Sequence, residues 1–300
     1  MEWFFIVNPA AGKGKVKKLW PDIQNYLKKL KISFTYEFTR GYNHARELAC
    51  GAMAEKVKKV VVVVGGDGTL FEVINGIDPG KVTLGIILLG TGNDFARTAG
   101  ISLDWEKACR ALAQGNEMAV DLGRINEHYF INISGTGLDA MTVWEANRLK
   151  KYFGKISYVV GLLKQLIFFK PMQIEVRGRD VCYSAGAWMV SVANGKYYGN
   201  GMMVAPRALL DDGLLDIIIV EKLPRLEFLK VFPQVYKGTH LNHPKVKFFR
   251  ERELEIKTEK PLPVHCDGEI LHLTSLKYSV VPQKLKIIVP VTAETLVLAG

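Results

Sequence analysis

"VVVVVGGDGTLFEV", Val60 to Val73, runs five valines into two glycines, an aspartate and a third glycine. Five apolar residues are too few to cross a bilayer, and the run lacks the polar alternation of a strand with one wet face. It predicts a strand buried on both faces, as in a parallel sheet, whose end opens onto something charged. Glycines let a backbone turn sharply and approach a ligand closely, and amides exposed at a strand end or helix start attract phosphate. Phosphate repels a carboxylate, so Asp67 reads as the partner of a magnesium ion or of a substrate hydroxyl, with Thr69 adding a hydroxyl donor. A plain strand followed by an Asp-Gly turn also accounts for this stretch taken alone.

The same pattern recurs on either side. "WFFIV" precedes "NPAAGKGK" (Asn8 to Lys15) and the amphipathic "LWPDIQNYLKKLK"; "ISFTYEFT" leads to "NHARELACGAMAEK"; "LGIILL" meets "GTGNDFAR" (Gly90 to Arg97). Four repeats of strand, loop and helix predict an α/β N-terminal domain with a parallel sheet covered by helices on both faces. In such sheets ligands sit at the carboxyl ends of the strands, where these glycine-rich loops fall. The lysine-bearing loop is not a Walker A motif, because Gly12-Lys13 has no glycine five residues earlier and no Ser or Thr after it. Asn93 and Asp94 taken singly suit helix capping as well as function. Three such loops at successive strand ends favour a phosphate site.

After about residue 120 the texture changes to short strands between turn residues, among them "HYFINISG", "GAWMVSVANG", "LLDIIIVEK", "RELEIKT" and "ILHLTSLKYSVVP". These predict an antiparallel β-sandwich. The expected division is therefore 1–120, a nucleotide-binding α/β domain, and 121–290, a β-sandwich with a helical insert at 146–171. The tail 291–300 either rejoins the first domain or trails.

Composition narrows the function. With 300 residues, 48% of them apolar, the chain can bury a large core and disorder is excluded. Forty basic against 30 acidic residues give a net charge of +10, which favours anionic partners. Four scattered cysteines without a CxxC pair argue against a disulfide framework or zinc site, and six histidines form no H-x-x-x-H pair. The lysines form no stripe with interleaved aromatics, so nucleic acid is a poor partner. "MEWFFIV" lacks the basic start and long apolar region of a signal peptide, and "ISYVVGLLKQLIFF" (Ile156 to Phe169) is broken by Lys164 and Gln165. A cytoplasmic protein is expected. Arg148 to Lys170 reads either as core-facing helices or as an interfacial element that lends peripheral attachment to anionic phospholipid.

Taken together, "NPAAGKGK", "GGDGT" and "GTGNDFAR", in that order, resemble the diacylglycerol kinase catalytic-domain family, including bacterial soluble lipid kinases, with sphingosine and ceramide kinases as relatives. "SGTGLDA", "ANGKYYGNGMMVAPRALLDDGLLDIIIV" and "CDGE" resemble that family's second domain, so the likeness runs almost end to end. It implies an NAD-kinase/phosphofructokinase-like three-layer first domain and an ATP- and magnesium-dependent lipid kinase. Phosphate would pass to the hydroxyl of diacylglycerol, giving phosphatidic acid in a cleft between the domains. The resemblance implies ATP held by Asn8, Pro9, Ala10, Ala11 and Gly12, by Thr39, by Gly66, Asp67, Gly68, Thr69 and Glu72, and by Thr91 and Asn93. Glu269 of "CDGE" would be the general base, although a hairpin with Asp267-Gly268 as its turn explains those residues alone. Asp67, Asp94 and Asp121 would organise the catalytic Mg2+. Leu209, Asp212 and Leu214 would hold a structural Mg2+, with Asp211 beside them. Phe71 stands where many bacterial members carry a polar residue. Alternative acceptors are undecaprenol, a sphingoid base or phosphatidylglycerol, and the rival from another class is a nucleotide-binding regulator without turnover. A homodimer is compatible with exposed strand edges.

Overall fold

The computed structural model describes residues 3–54, 60–153 and 156–291. Its residues divide into two compact units, one from 1–120 with 283–300 and the other from 121–282. The tail beyond residue 291 lies outside the described residues.

The first unit runs β1 (Trp3–Val7), α1 (Ala11–Lys29), β2 (Phe34–Phe38), α2 (His44–Ala54), β3 (Val60–Gly65), α3 (Asp67–Ile74), β4 (Thr83–Leu88), α4 (Asp94–Thr98) and α5 (Trp105–Gln114). The strands pair in the order β2-β1-β3-β4, all parallel, with Val60 opposite both Trp3 and Thr83. Val60, Val62 and Val64 pack with Phe5 and Val7 against Val16, Trp20, Ile23 and Leu27 of α1 and Cys109 and Leu112 of α5. The intervening Val61, Val63 and Ile6 are also fully buried. Both faces of the sheet are therefore covered, which is why the valine run shows no alternation. Helix α5 starts where the Asp104 carboxylate accepts from the amides of Glu106 and Lys107, and it ends at Gly115 in the left-handed conformation.

The second unit holds β5 (Glu117–Ile125) from Asp121 on, β6 (His128–Phe130), β7 (Ile133–Gly137), α6 (Leu138–Phe153), α7 (Ser157–Phe168), β8 (Met172–Gly178) and β9 (Cys182–Ala193). There follow β10 (Tyr197–Tyr198), β11 (Met202–Met203), β12 (Leu215–Glu221), α8 (Arg225–Val231), β13 (Val246–Glu251), β14 (Glu253–Thr258), β15 (Val264–Cys266), β16 (Glu269–Leu271) and the first half of β17 (Leu276–Ile288). The long β9 organises it: β12 pairs along one edge, and β7 and then β8 along the other, all antiparallel. From Gln283 on β17 belongs to the first unit, where Lys286 and Ile287 pair in parallel with β4. The fold is thus the expected parallel α/β region followed by an antiparallel sandwich-like region. The helical stretch starts earlier than "ANRLKKYF" suggested, because α6 begins at Leu138 directly on the end of β7.

Candidate functional site

In the first unit the predicted loops gather at the carboxyl ends of β1, β3 and β4. Helix α3 begins at Asp67 itself, with Gly66 extended as its cap, so "GGDGT" is less a free loop than the first turn of a helix. This places its amides at the positive end of the helix dipole. Asn8 donates from its side chain to Thr69 Oγ1 at 2.9 Å and accepts from the Ala10 amide at 3.1 Å, tying the "NPAAGKGK" turn to α3. Gly12, Lys13 and Gly14 all have positive φ, and a Cβ at Gly12 would collide with the Leu89 carbonyl. Gly66 and Gly90 meet backbone to backbone, since a Cβ on Gly90 would lie 2.8 Å from the Gly66 Cα. These glycines are required by close approach, not only by turn formation.

Asp67 is half-buried, and its carboxylate accepts the amides of Asn93 at 2.6 Å and Asp94 at 2.9 Å. Burial pushes its pKa up, and the amide bonds from Asn93, Asp94 and Phe95 oppose that rise without cancelling it. Asp94 is buried and paired with Arg97 at 3.0 Å. A Cβ on Gly92 would lie 2.8 Å from Asp67 Oδ2 and 3.2 Å from Asp94 Oδ2, so the two carboxylates face one small space. Asn93, in the left-handed conformation, has a buried Oδ1 with no hydrogen-bond partner, an acceptor that a nucleotide hydroxyl or amine would satisfy.

Other predicted contacts have different employment. Both oxygens of Glu72 accept amides at the start of α2, Asn43 and Ala45, each at 3.0 Å. Thr39 is buried at the end of β2, its amide bonded to the Val7 carbonyl. Phe71 is buried on α3, so no polar contact arises there.

In the second unit Asp121 is fully buried, and its Oδ2 accepts the Gly213 amide at 2.7 Å while its own amide bonds the Leu210 carbonyl. It therefore shapes the turn that carries Leu209, Asp211, Asp212 and Leu214. Asp212 accepts the Leu214 amide at 3.1 Å and lies 3.8 Å from the Arg250 guanidinium. Arg250 also bonds Asp216 at 2.9 Å and the Arg207 carbonyl at 2.7 Å. Burial, opposed by Arg250, raises the Asp216 pKa to about 6. Asp212, one of the two carboxylates of the turn, thus has a guanidinium within reach, as Asp94 has in Arg97. Among the described residues no three His, Cys, Asp or Glu side chains converge as metal ligands. Asp67 and Asp94 do suit a magnesium ion carried in with phosphates, since Mg2+ commonly takes only one or two carboxylates beside phosphate and water. Such an ion would neutralise phosphate charge there.

Glu269 lies on β16, directly opposite Cys266 of β15. The turn between them, Asp267 and Gly268, has φ of 48° and 92°. Sequence reading gave Asp267 no role beyond the turn, yet its carboxylate accepts three amides, Ile131 at 2.7 Å, Asn132 at 2.9 Å and Ile133 at 3.0 Å. Asn147 of α6 donates to the Gly268 carbonyl at 3.1 Å. The hairpin that carries Glu269 is therefore pinned from two sides.

Behind it lies a group that the sequence did not single out. Asp139 of "SGTGLDA" is buried and accepts from His265 at 2.8 Å, Ser191 at 3.1 Å, Tyr198 at 2.6 Å and Tyr158 at 3.3 Å. Burial works to raise its pKa, but His265 beside it and the hydroxyl donors hold it below the usual carboxylate range. Burial and the Asp139 charge push Tyr158 and Tyr198 well above the usual phenol value. Asp139, Tyr158 and Tyr198, with His240, are the polar residues that line a cavity of about 60 Å³ whose other walls are apolar, among them Leu162, Met189, Ile218 and Val235. Asp139→Asn is expected to cost about 3 kcal/mol of stability at pH 7, because it breaks a buried pair. The depressed pKa means that the wild-type advantage is present above the unfolded value of 3.8 and is lost as pH falls through the folded value. Urea melts at neutral and acid pH check both parts.

Residues 2–125 match the family model for the diacylglycerol kinase catalytic domain, and residues 132–289 that for the YegS C-terminal NAD kinase beta sandwich-like domain. A diacylglycerol kinase of Staphylococcus saprophyticus is 30% identical over 267 residues, 88% of this chain and 87% of that protein. A diacylglycerol kinase of Bacillus subtilis is 28% identical over 270 residues, 88% of each. A crystal structure of a diacylglycerol kinase from Bacillus anthracis shares the fold, with a TM-score of 0.75, 24% identity and 96% of each chain covered. Among the described residues no helix is long and apolar enough to cross a membrane.

Proposed function

The chain belongs to the diacylglycerol kinase family and is a kinase acting on a lipid hydroxyl, and from that premise we propose that it transfers the γ-phosphate of ATP to diacylglycerol, giving phosphatidic acid. ATP as phosphate donor follows from the kinase family. The observation that supports a lipid acceptor is the second unit's cavity, apolar along most of its walls and polar at Asp139, Tyr158, Tyr198 and His240. Such an apolar space favours hydrocarbon over charged or strongly hydrated groups.

In this reading the amides at the start of α3 and the "NPAAGKGK" turn cradle the phosphates, and Asn93 Oδ1 accepts from the nucleotide. Asp67 and Asp94 would hold the magnesium that accompanies it. Glu269 takes the proton of the acceptor hydroxyl as its oxygen attacks the γ-phosphorus. The bond to the β-phosphate oxygen breaks and ADP leaves. Phosphoryl transfer relies on positioning and electrostatic stabilisation, so rigid amides and pinned carboxylates are the parts it needs.

The test is ADP release with ATP, magnesium and detergent-dispersed diacylglycerol, in parallel with an analogue whose free hydroxyl is acetylated, and with undecaprenol, sphingosine and phosphatidylglycerol. Release with diacylglycerol alone among these is expected. Release with another lipid reassigns the acceptor, and nucleotide binding without release under any condition favours the regulator.

A further inference from the structure

The hairpin that presents Glu269 hangs at the edge of its sheet, with β16 outermost and β15 between it and β7. Two strands of three residues each have few backbone bonds to hold them, so side-chain ties decide where the hairpin settles. Asp267 and Asn147 fix its turn. A further tie leaves from the middle of β15, where His265 lies opposite Gly135 of β7 on one side and Ile270 of β16 on the other. Its Nε2 donates to Asp139 Oδ2 at 2.8 Å, and both side chains are fully buried. A Cβ on Gly135 would collide with Asp139 Oδ2 and lie 3.0 Å from His265 Nε2. The stretch "SGTGLDA" thus supplies both the acceptor and the clearance through which His265 reaches it.

Asp139 is held from several elements. Ser191 of β9 donates to the oxygen that His265 uses, and Tyr198 of β10 and Tyr158 of α7 donate to the other. The plane of the His265 ring is set by this carboxylate and by the Tyr198 ring, stacked on it with centroids 5.4 Å apart and 10° between planes. The Nδ1 of His265 is buried and has no hydrogen-bond partner among the described residues, so no second polar contact pulls the ring elsewhere. Packing alone is a poor reason for such a pair, because apolar side chains of similar volume would hold β15 against β7 without the cost of burying charge. What the pair adds is direction, since a buried hydrogen bond tolerates little change in distance or angle and so fixes β15 relative to Asp139.

We propose that His265 is a positioning residue: bonded to Asp139 across Gly135, it sets the placement of the β15–β16 hairpin and, through it, of the Glu269 carboxylate. The assignment rests on the reading of Glu269 as general base and adds what places that base. In this role His265 contacts no reacting atom and acts only through Glu269.

The experiment compares wild type, His265→Leu, His265→Gln, Glu269→Gln and the combined His265→Leu, Glu269→Gln variant. Turnover of ATP with detergent-dispersed diacylglycerol is expressed per mole of protein that binds ATP. Gln places an amide N–H where the imidazole Nε2 stands, whereas Leu fills the space without a donor. His265→Leu is expected to lose about 10²-fold in kcat with KM for both substrates near wild type, and His265→Gln to recover most of that loss. The combined variant should be no slower than Glu269→Gln alone, because a residue that acts through Glu269 then has nothing left to position. Gly135→Ala crowds the pair while leaving both groups in place; it should lower kcat in the same way, and it decides the matter if His265→Leu does not fold. Wild-type kcat in His265→Leu, or in Gly135→Ala where that variant decides, overturns the proposal. A combined loss that multiplies the two single losses marks general structural damage and also overturns it, as does a raised KM for the lipid with kcat unchanged, which moves the pair to acceptor binding. His265→Gln as slow as His265→Leu overturns the route through Asp139. If Glu269→Gln itself turns over at the wild-type rate, the base reading fails first and the positioning role falls with it.

Discussion

Replacing Asp67 by alanine is expected to lower kcat by about 10³-fold, or about 4 kcal/mol in the barrier, while leaving the melting temperature within a few degrees of wild type. The Asp67 carboxylate meets the amides of Asn93 and Asp94 and shares with Asp94 the small space bounded by Gly92. Removing it takes away the charge that would hold the phosphate-bound cation and loosens the turn that presents Asn93. Folding suffers little, because burial already disfavours the charged form, as the raised pKa shows. Turnover at saturating ATP and dispersed diacylglycerol, with thermal melts alongside, checks both halves. Wild-type turnover in this variant would remove the phosphate-site account.

The second large effect concerns Glu269. Glu269→Gln keeps the shape and one acceptor oxygen but cannot take a proton, so kcat falls by about 10²- to 10⁴-fold while the affinity for ATP is unchanged. The prediction separates base from scaffold because the hairpin is pinned by other residues, Asp267 through three amides and Asn147 through the Gly268 carbonyl. A variant that keeps most of the rate places the base elsewhere.

These two residues also mark what a sequence discloses and what it hides. The parallel sheet was legible in Val60–Val64, since burial on both faces leaves an unbroken apolar run. The three loops were legible because close backbone approach demands glycine, as at Gly12, Gly66 and Gly90. The start of α3 at Asp67 was not, because glycine-rich residues read as loop until their first-turn geometry is seen. Glu72 looks like a phosphate-loop residue, yet it caps a helix that begins nearly thirty positions earlier in the chain. Asp121 holds a turn 92 positions away, and Asp267 holds a strand about 135 positions away. No local periodicity encodes such contacts, since they form only when distant strands come into register. Asp139 and His265 were invisible for the same reason, as one sits at a helix start and the other in a three-residue strand.

The measurement closest to the centre of this account is the fate of the γ-phosphate itself. Wild-type protein is incubated with ATP labelled at that position, magnesium and diacylglycerol, and the lipid fraction is resolved. Labelled phosphatidic acid is expected, and none when Glu269→Gln replaces wild type under the same conditions. Label that stays on ATP while the nucleotide remains bound to the protein would contradict it.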